Sequence, residues 1–393
     1  MNPDPDRPRS VAFAPGLAVW AVLGCAALVS ARIVSELLKH QVLGIDFLAM
    51  WTGGALAGGH PGQLYDFAAV TRAQAWLLGE GGRQRPFPYP PSALLIFAPL
   101  SRLPFWWANF VWLFATLGAF AAAGVRRAMP ARGLVLVLIF VSPTLAWAAA
   151  SGQTTFLVGA LAIWALSDLQ TRPIAAGALL GIAAAIKPSL LVMAPLALAA
   201  GGHGRALLGA AASGAAMGAL ALAIWGVGPW LDWLAALPRF VAEIQGDPAF
   251  QATLVGPAGL ASRLGVDGAA LGAVRLSSIL VGAALGVLAF WRSADAPTRL
   301  AGLVGGGLLA TPYAMNYDAA ILVPGAAAAL AANLAGPGRL KGLIGFGGLI
   351  VAAVPGVCPA GLLVHLGVAL GPTVAGAVAA ARRRLVRRQV AAV

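Results

Sequence analysis

The chain has 393 residues, of which 60% are hydrophobic and 10% are charged, and its mean hydropathy is +0.85. A water-soluble protein of this length needs a more polar surface, so the composition excludes a soluble domain and predicts an all-α polytopic membrane protein. The net charge is +13, but the basic residues concentrate on one predicted side of the membrane, which argues against a nucleic-acid partner.

The N-terminal segment places Arg7 and Arg9 before an apolar run at 11–31. A signal peptide has the same polarity but a shorter apolar region, and the sequence VSA at 29–31 is a weak cleavage site. We therefore predict an uncleaved first transmembrane helix after a short cytoplasmic tail at 1–12.

Twelve apolar runs follow one another, and we interpret them as membrane segments of one module that covers residues 1–393. They lie at 13–35, 105–125, 133–149, 154–169, 174–186, 189–200, 206–227, 268–291, 298–312, 317–335, 341–354 and 359–380. Several are shorter than the roughly twenty residues that a perpendicular crossing needs, and the third to sixth runs pair as two tight hairpins. An even number of segments places both termini in the cytoplasm.

The distribution of lysine and arginine agrees with this topology. On the side assigned to the cytoplasm, sixteen basic residues accompany four acidic ones, so that side carries +12 of the chain's +13. The basic residues are Arg7, Arg9, Arg126, Arg127, Arg132, Arg172, Arg205, Arg292, Arg299, Arg339, Lys341, Arg382, Arg383, Arg384, Arg387 and Arg388, and the acidic ones are Asp4, Asp6, Asp168 and Asp295. The tail at 381–393 is then a topology anchor that faces anionic lipid.

Two long segments fall on the extracytoplasmic side. The first, 36–104, contains a predicted surface helix near 62–79. The second, 228–267, contains an amphipathic helix that we expect to lie along the bilayer interface. Its predicted apolar face is formed by Trp230, Trp233, Leu234, Leu237 and Phe240.

Polar residues recur at predicted helix ends on the extracytoplasmic side, where their cost at membrane depth suggests a function. They are Asp46 after the first segment, Gln153 and Lys187 at the turns of the two hairpins, and Tyr313, Asn316, Tyr317 and Asp318 between the ninth and tenth segments. A carboxylate, a lysine, an amide and a tyrosine–aspartate pair on one face would suit a reaction whose leaving group is anionic.

Each of these residues also has a structural interpretation, and the sequence leaves both open. Asp46 could cap the helix that follows it, and Lys187 could extend to the membrane interface. Gln153 could satisfy backbone groups at its turn, and Asp318 could pair with an arginine. Three arginines of the first long segment suit an interfacial or solvated position, with phosphate contact as the alternative; they are Arg72, Arg83 and Arg85.

The chain resembles glycosyltransferase family 87 in five stretches that occur in the same order. They are GIDFLAMWTGGALAGGHPGQLYD (44–66), PFPYPPSALLIFAPLSRLP (86–104), SGQTTFLVGALAIWAL (151–166), AAGALLGIAAAIKPSLLVMAPLALAA (175–200) and TPYAMNYDAAILVP (311–324). The resemblance covers about residues 40–335 and implies an integral-membrane transferase of the GT-C fold.

The resemblance further implies a polyprenyl-phosphate-linked sugar donor, most often mannose, and a glycolipid or glycan acceptor outside the plasma membrane. It implies a catalytic carboxylate in the first extracytoplasmic loop, at the position of Asp46, which would act as general base in an inverting transfer. The predicted donor-binding residues are Lys187, Gln153, Arg72 and Tyr89, and the predicted acceptor- or sugar-binding residues are Tyr313, Asn316, Tyr317, Asp318, Tyr65 and Asp66. No metal and no other cofactor is expected, because the chain shows no convincing ligand set.

Two other hypotheses remain at this point. A transporter or flippase for a lipid or small solute would explain the helix breaks and the polar groups at membrane depth. A structural or assembly subunit would need no convergent polar face. The position of the polar side chains discriminates among the three, because a transferase requires Asp46, Gln153, Lys187 and Asp318 in one outward cavity, with membrane lipids around it.

Overall fold

The computed structural model describes residues 15–40, 43–79, 85–126, 131–334 and 336–390. The predicted tail at 1–12 lies outside these residues. The α-helices of the described ranges are α1 (Pro15–His40), α2 (Ile45–Gly59), α3 (Phe67–Leu78), α4 (Leu94–Leu100), α5 (Phe105–Val125), α6 (Arg132–Phe140), α7 (Pro143–Ser151), α8 (Thr155–Asp168), α9 (Pro173–Ile186), α10 (Pro188–Leu191), α11 (Ala194–Ala200), α12 (Gly204–Trp225), α13 (Gly228–Gly246), α14 (Pro248–Thr253), α15 (Pro257–Arg263), α16 (Gly268–Arg292), α17 (Ala296–Ala310), α18 (Val323–Ala332), α19 (Arg339–Ala352) and α20 (Cys358–Val390).

Short 3-10 helices complete the described secondary structure, at Pro61–Gln63, Pro91–Ala93 and Asn316–Leu322. No β-strand occurs in the described ranges, where extended pairing is limited to an isolated bridge between Leu254 and Met315. The prediction of an all-α fold is therefore confirmed.

Five helices of the described ranges are long and apolar enough to cross a membrane, and a sixth span results if α6 and α7 form one bent crossing. The five spans are Leu17–Lys39, Phe105–Val125, Gly204–Trp225, Gly268–Arg292 and Cys358–Arg384. This confirms a polytopic helical membrane protein. The count of twelve segments stays a prediction, because several of the other apolar runs form helices of only 10–17 residues.

The boundaries differ from the prediction at three places. The run at 133–149 is two helices, α6 and α7, which meet at 61°. Pro143 begins α7, and its missing N–H cannot continue the hydrogen bonding of α6. Helix α1 extends to His40, five residues beyond its predicted end, and α20 continues to Val390, so the basic tail predicted from residue 381 is largely helical.

Small residues allow the helices to pack closely. A Cβ atom added at Gly177 of α9 would overlap the carbonyl oxygen of Ala206 on α12. Gly282 of α16 and Gly306 of α17 oppose each other in the same way, since a Cβ on either would meet the other's carbonyl oxygen. Backbones in this chain thus approach at distances that only glycine permits, as is usual for helices in membranes.

The amphipathic helix predicted in the second long segment is α13. Its buried face consists of Ala236 and Phe240 with the half-buried Trp233 and Leu237 beside them. Leu234 lies beside these positions on the same side of the helix, with its side chain 55% exposed, and the position of this face along the bilayer interface stays a prediction. The spacing of the buried positions, three and four residues apart, is that of one face of a helix.

An aromatic cluster connects α2 and residues 87–97, both from the first long segment, with α5. It comprises Phe47 of α2, Phe87, Phe97 of α4, and Phe105 and Trp112 of α5. The ring centroids of Phe97 and Trp112 lie 5.3 Å apart, and those of Phe47 and Trp112 lie 6.0 Å apart. Such contacts contribute about 0.5–1.5 kcal/mol each beyond burial, and they fix the start of α2 beside residues 85–90.

Candidate active site

A cavity of about 780 Å³, the large cavity, lies where several helices end. Its wall includes the start of α2, residues 85–90, and the breaks between α7 and α8, between α9 and α10, and after α17. Helices α13 and α14 contribute the remaining wall, with Trp233, Phe240, Glu243, Asp247 and Phe250 among its residues. Of the residues predicted for the site, the large cavity is lined by Asp46, Tyr89, Gln153, Lys187, Tyr313, Tyr317 and Asp318.

Asp46 is the second residue of α2 and lines the large cavity. Its Oδ2 accepts a hydrogen bond of 2.7 Å from Nε2 of Gln153, and its Oδ1 lies 3.4 Å from Nε of Arg85. The helix begins after Gly44 without a side-chain cap, so the capping interpretation does not account for this carboxylate. The side chain keeps 21% of its surface exposed, which leaves acceptor capacity toward the cavity.

Arg85 is the cation next to Asp46, and sequence reasoning placed it wrongly among solvated arginines. It is only 7% exposed. Gln74 of α3 holds its backbone from both sides, because the Gln74 amide donates to the Arg85 carbonyl at 2.7 Å and accepts from the Arg85 N–H at 3.1 Å. The guanidinium lies 5.2 Å from the centroid of the Phe250 ring. The signal that could have found it is Gln74, a lone amide on the apolar face of the predicted surface helix.

Lys187 and Asp318 form the second ion pair of the large cavity. The Lys187 Nζ lies 2.5 Å from Asp318 Oδ1, and the two side chains are only 12% and 3% exposed. The Thr155 hydroxyl donates to the same oxygen at 3.1 Å, and the Met315 N–H donates to Oδ2 at 3.3 Å. The ammonium also lies 5.4 Å from the Tyr317 ring centroid. Lys187 thus points into the protein instead of extending to the membrane interface.

The sequence profile of glycosyltransferase family 87 matches residues 87–312, more than half of the chain. The chain belongs to glycosyltransferase family 87. The resemblance inferred from the five sequence stretches is therefore confirmed.

Within family 87, the chain is similar to a curated protein of Mycolicibacterium smegmatis (strain ATCC 700084 / mc(2)155). That protein is a polyprenol-phosphate-mannose-dependent alpha-(1-2)-phosphatidylinositol pentamannoside mannosyltransferase. The two are 29% identical over 344 residues, which cover 81% of this chain and 76% of the relative. No solved structure matches the chain significantly.

The family 87 match contains Tyr89, Gln153 and Lys187 but ends before Asp318 and begins after Asp46. Residues on both sides of the matched range therefore complete the large cavity. Tyr89 lies beside the Asp46 partner Gln153, because its hydroxyl is 3.4 Å from Gln153 Oε1 and 3.4 Å from Thr154 Oγ1. Burial raises the pKa of the Tyr89 phenol above its ordinary value, so this group stays neutral and can donate.

Four residues of the predicted site do not line the large cavity. Tyr65 donates to the Tyr89 carbonyl at 2.7 Å and so supports the cavity wall from behind. Asp66 caps α3 by accepting from the Ala68 N–H at 2.9 Å. Asn316 is buried against the Ala353 carbonyl, and Arg72 is exposed on α3. Arg83 lies outside the described residues. A direct sugar or phosphate contact by these side chains gains no support from their positions.

The ionic groups of the inner wall are matched in sign, since Asp46 is beside Arg85 and Asp318 is beside Lys187. Among the described residues, no group of three histidine, cysteine, aspartate or glutamate side chains is placed to hold a metal ion. On this inner wall, Asp46 is a carboxylate with open acceptor capacity, and Arg85 and Lys187 are the two cations.

Proposed function

We propose that this protein transfers a hexosyl group, with mannose as the first choice, from a polyprenyl-phosphate donor to an acceptor hydroxyl with inversion at the anomeric carbon. One observation supports the proposal most strongly: in a member of family 87, the large cavity brings a partly exposed Asp46 together with Arg85 and Lys187. The similar protein from Mycolicibacterium smegmatis is named for mannose transfer from a polyprenol phosphate.

Asp46 acts as the general base in this proposal. Its carboxylate takes the proton of the acceptor hydroxyl while the acceptor oxygen forms a bond to the anomeric carbon from the side opposite the phosphate. The hydrogen bond from Gln153 fixes the orientation of the carboxylate at one oxygen. The other oxygen faces Arg85 at 3.4 Å, a distance longer than that of a normal charged hydrogen bond. That oxygen keeps room for the incoming hydroxyl.

The cations act on the leaving group. As the bond between the anomeric carbon and the phosphate oxygen breaks, the electron pair goes to polyprenyl phosphate, which gains negative charge. Lys187, paired with Asp318, and Arg85, whose backbone is held by Gln74, are preorganised donors for that charge. Removal of one preorganised donor typically costs about 10²–10³ in rate, so two such groups are a substantial part of catalysis.

The proposed orientation places the large cavity on the extracytoplasmic side of the plasma membrane and both termini in the cytoplasm. The excess of lysine and arginine on the opposite helix ends supports this assignment. The acceptor is a glycolipid or glycan hydroxyl that is reached from outside, and the donor's prenyl chain stays in the bilayer.

The shared cavity favours the transferase over the transporter hypothesis. A transporter predicts a path through the protein or separate positions for the polar groups, whereas Asp46, Gln153, Lys187 and Asp318 all line one cavity. A structural subunit would need no such convergence.

The proposal is tested with purified protein and a panel of radiolabelled polyprenyl-phosphate hexoses and pentoses, with native lipid extract as the source of acceptors. We expect label to move from polyprenyl-phosphate mannose into a new glycolipid or glycan. The Asp46→Asn variant should not form this product. The matched control is Asp267→Asn, which makes the same change at an exposed carboxylate outside the large cavity. No transfer from any donor by the wild type, or equal transfer by Asp46→Asn, contradicts the proposal.

A further inference from the structure

Two glycines join the chain segments that carry Asp46 and Gln153. Gly44 is the N-cap of α2 and Gly152 is the C-cap of α7, and both have a φ of +73°. The Gly44 N–H donates to the Ala150 carbonyl at 2.8 Å, so the two segments are bonded through their backbones. Asp46 follows two residues after one glycine and Gln153 follows directly after the other. We name this contact between Gly44 and Gly152 the glycine junction.

Neither position of the glycine junction tolerates a side chain. A left-handed conformation costs a residue with a Cβ roughly 1–2 kcal/mol before any steric contact is counted. A Cβ at Gly44 would lie 2.5 Å from Nδ2 of Asn109, and a Cβ at Gly152 would lie 2.8 Å from Cβ of Phe47. The junction therefore depends on close contact with residues from α2 and α5.

Two residues of α5, one turn apart, hold the glycine junction from one side. Trp112 donates from its indole N–H to the Gly152 carbonyl at 3.0 Å, in a fully buried bond. The amide of Asn109 packs against both glycines, because a Cβ at Gly44 would lie 2.5–2.7 Å from its Nδ2, Cγ and Oδ1, and a Cβ at Gly152 would lie 3.1 Å from its Oδ1. A spacing of three residues puts both side chains on the same face of the helix.

The amide oxygen of Asn109 lowers the stability of the folded protein at this position. It is buried and accepts no conventional hydrogen bond from any described residue. An unsatisfied buried acceptor costs about 1–3 kcal/mol, and contacts with glycine Cα–H groups recover only part of that cost. An apolar side chain of similar size would be more favourable for folding alone. This cost indicates that Asn109 serves the geometry of the junction and not the stability of the fold.

We infer that Asn109 and Trp112 are positioning residues that fix the Asp46–Gln153 hydrogen bond through the glycine junction. Helix α5 is a long apolar span, so it provides a rigid support for the start of α2 and the end of α7. The inference rests on the proposed function only in treating Asp46 as the base. The claim that Asn109 and Trp112 hold the Asp46 carboxylate against the Gln153 amide can be tested without any sugar transfer.

The first arm of the test measures turnover and stability together. Asn109→Leu replaces the amide by an apolar side chain of similar size, and we expect kcat to fall about 10- to 100-fold while the donor KM stays within twofold. The thermal unfolding midpoint should stay equal or rise, because the unsatisfied oxygen is gone. A structural role alone cannot lower kcat while the protein becomes more stable. Gln153→Ala should have a kcat similar to that of Asn109→Leu. The double variant Gln153→Ala with Asn109→Leu should have a kcat little lower than Gln153→Ala alone, because both changes act on the same hydrogen bond to Asp46.

A matched pair tests Trp112 separately. Trp112→Phe keeps an aromatic ring and removes the N–H, and we expect a fall in kcat of about fivefold or more. Trp147→Phe removes an equivalent N–H bond, to the Ala353 carbonyl at 3.0 Å, on α7 one turn before Ala150 and with no bond to either glycine, and should leave kcat unchanged.

The second arm is independent of sugar transfer. Labelling of Asp46 by a water-soluble carbodiimide with an amine, followed by peptide mass spectrometry, reports how tightly the carboxylate is held. We expect labelling to be at least threefold faster in Asn109→Leu than in the wild type, as in Gln153→Ala. Wild-type labelling rates in Asn109→Leu overturn the inference whether or not the protein transfers sugar. Slow labelling in the wild type with no transfer from any donor would instead contradict the proposed function alone.

Discussion

Asp46 and Asp318 are two aspartates in one cavity, and their surroundings differ in a way that separates their roles. Asp318 is 3% exposed and is engaged on both oxygens, by Lys187, Thr155 and the Met315 N–H. Asp46 is 21% exposed, holds one short hydrogen bond from Gln153, and meets its cation only at 3.4 Å.

This difference in exposure and bonding indicates which carboxylate can accept a proton from the acceptor hydroxyl. A base needs an oxygen that a substrate hydroxyl can reach, and Asp318 has little capacity left after its present partners. Asp318 instead orients Lys187 and balances its charge inside the protein. The sequence grouped Asp318 with the acceptor- or sugar-binding residues, and that role stays a prediction.

Exchange of each aspartate for asparagine is the strongest way to break this comparison. Asp46→Asn should lower kcat by about 10²–10⁴-fold, the usual contribution of a general base, with little change in thermal stability. Asp318→Asn should instead lower stability, because loss of one partner of a buried ion pair costs about 3–5 kcal/mol. Turnover and unfolding midpoints of both variants check this. The comparison is wrong if Asp318→Asn is stable and inactive while Asp46→Asn is active.

Removal of Lys187 tests whether Asp318 serves to orient this lysine toward the donor phosphate. Lys187→Ala should reduce kcat/KM for the polyprenyl-phosphate donor by about 10²–10³-fold, because it removes a preorganised donor to the leaving phosphate. The effect on the acceptor KM should be much smaller. The double variant Lys187→Ala with Asp318→Ala should recover stability relative to Lys187→Ala, since no unpaired charge remains, but it should not recover donor use.

Lys39→Ala is the control for the lysine experiments, because Lys39 is exposed and its ion pair is with Glu36 on its own helix. Equal donor kinetics in Lys187→Ala and Lys39→Ala would remove the phosphate role from Lys187. Donor use restored in the double variant would show that Asp318 blocks the site and does not orient the lysine.

The same pair of aspartates shows how far the sequence reaches. Asp46, Gln153, Lys187 and Asp318 stood out because each is a polar residue at the end of an apolar run, and helix ends are where polar groups collect. Their meeting in one cavity followed from placing those ends on one side of the membrane. The ion pairs themselves were not predictable, because pairing depends on how helices far apart in sequence pack.

Arg85 and the break at Pro143 show what the sequence signals left out. Arg85 precedes a proline-rich stretch that looks like a surface loop, but Gln74 holds its backbone and the Phe250 ring lies over its guanidinium. Pro143 is a visible helix breaker, yet the apolar run continues across it, so hydropathy alone merged α6 and α7. Helix existence followed from local composition, whereas bends and buried charges depended on tertiary contacts.

A substitution at Gln153 should have a smaller effect on kcat and tests whether its hydrogen bond distinguishes Asp46 from Asp318. Gln153→Met keeps the length of the side chain but removes the hydrogen bond to Asp46, and we expect kcat to fall about 10- to 100-fold. This corresponds to the 1.5–3 kcal/mol that a hydrogen bond to a charged group contributes. The donor KM should change less than kcat, because Gln153 orients the base. A change confined to the donor KM would place Gln153 with the donor, as the sequence suggested.

Tyr89 gives the smallest expected effect, because it touches the Asp46 side of the cavity only through long contacts. Its hydroxyl is 3.4 Å from both Gln153 and Thr154, beyond the normal range of O–H···O bonds. Tyr89→Phe should therefore lower kcat less than about fivefold, and the aromatic ring should continue to pack against Phe87 and Phe97. The measurement is steady-state kinetics and thermal unfolding of Tyr89→Phe and of a comparison variant, Tyr65→Phe. Tyr65→Phe loses the buried 2.7 Å hydrogen bond to the Tyr89 carbonyl behind the cavity wall. Because that bond is short and buried, Tyr65→Phe should lower the unfolding midpoint more than Tyr89→Phe does. If Tyr89→Phe abolishes turnover, the phenol contacts substrate directly, and the Asp46–Gln153 pair is then not the whole of the acceptor-activating group.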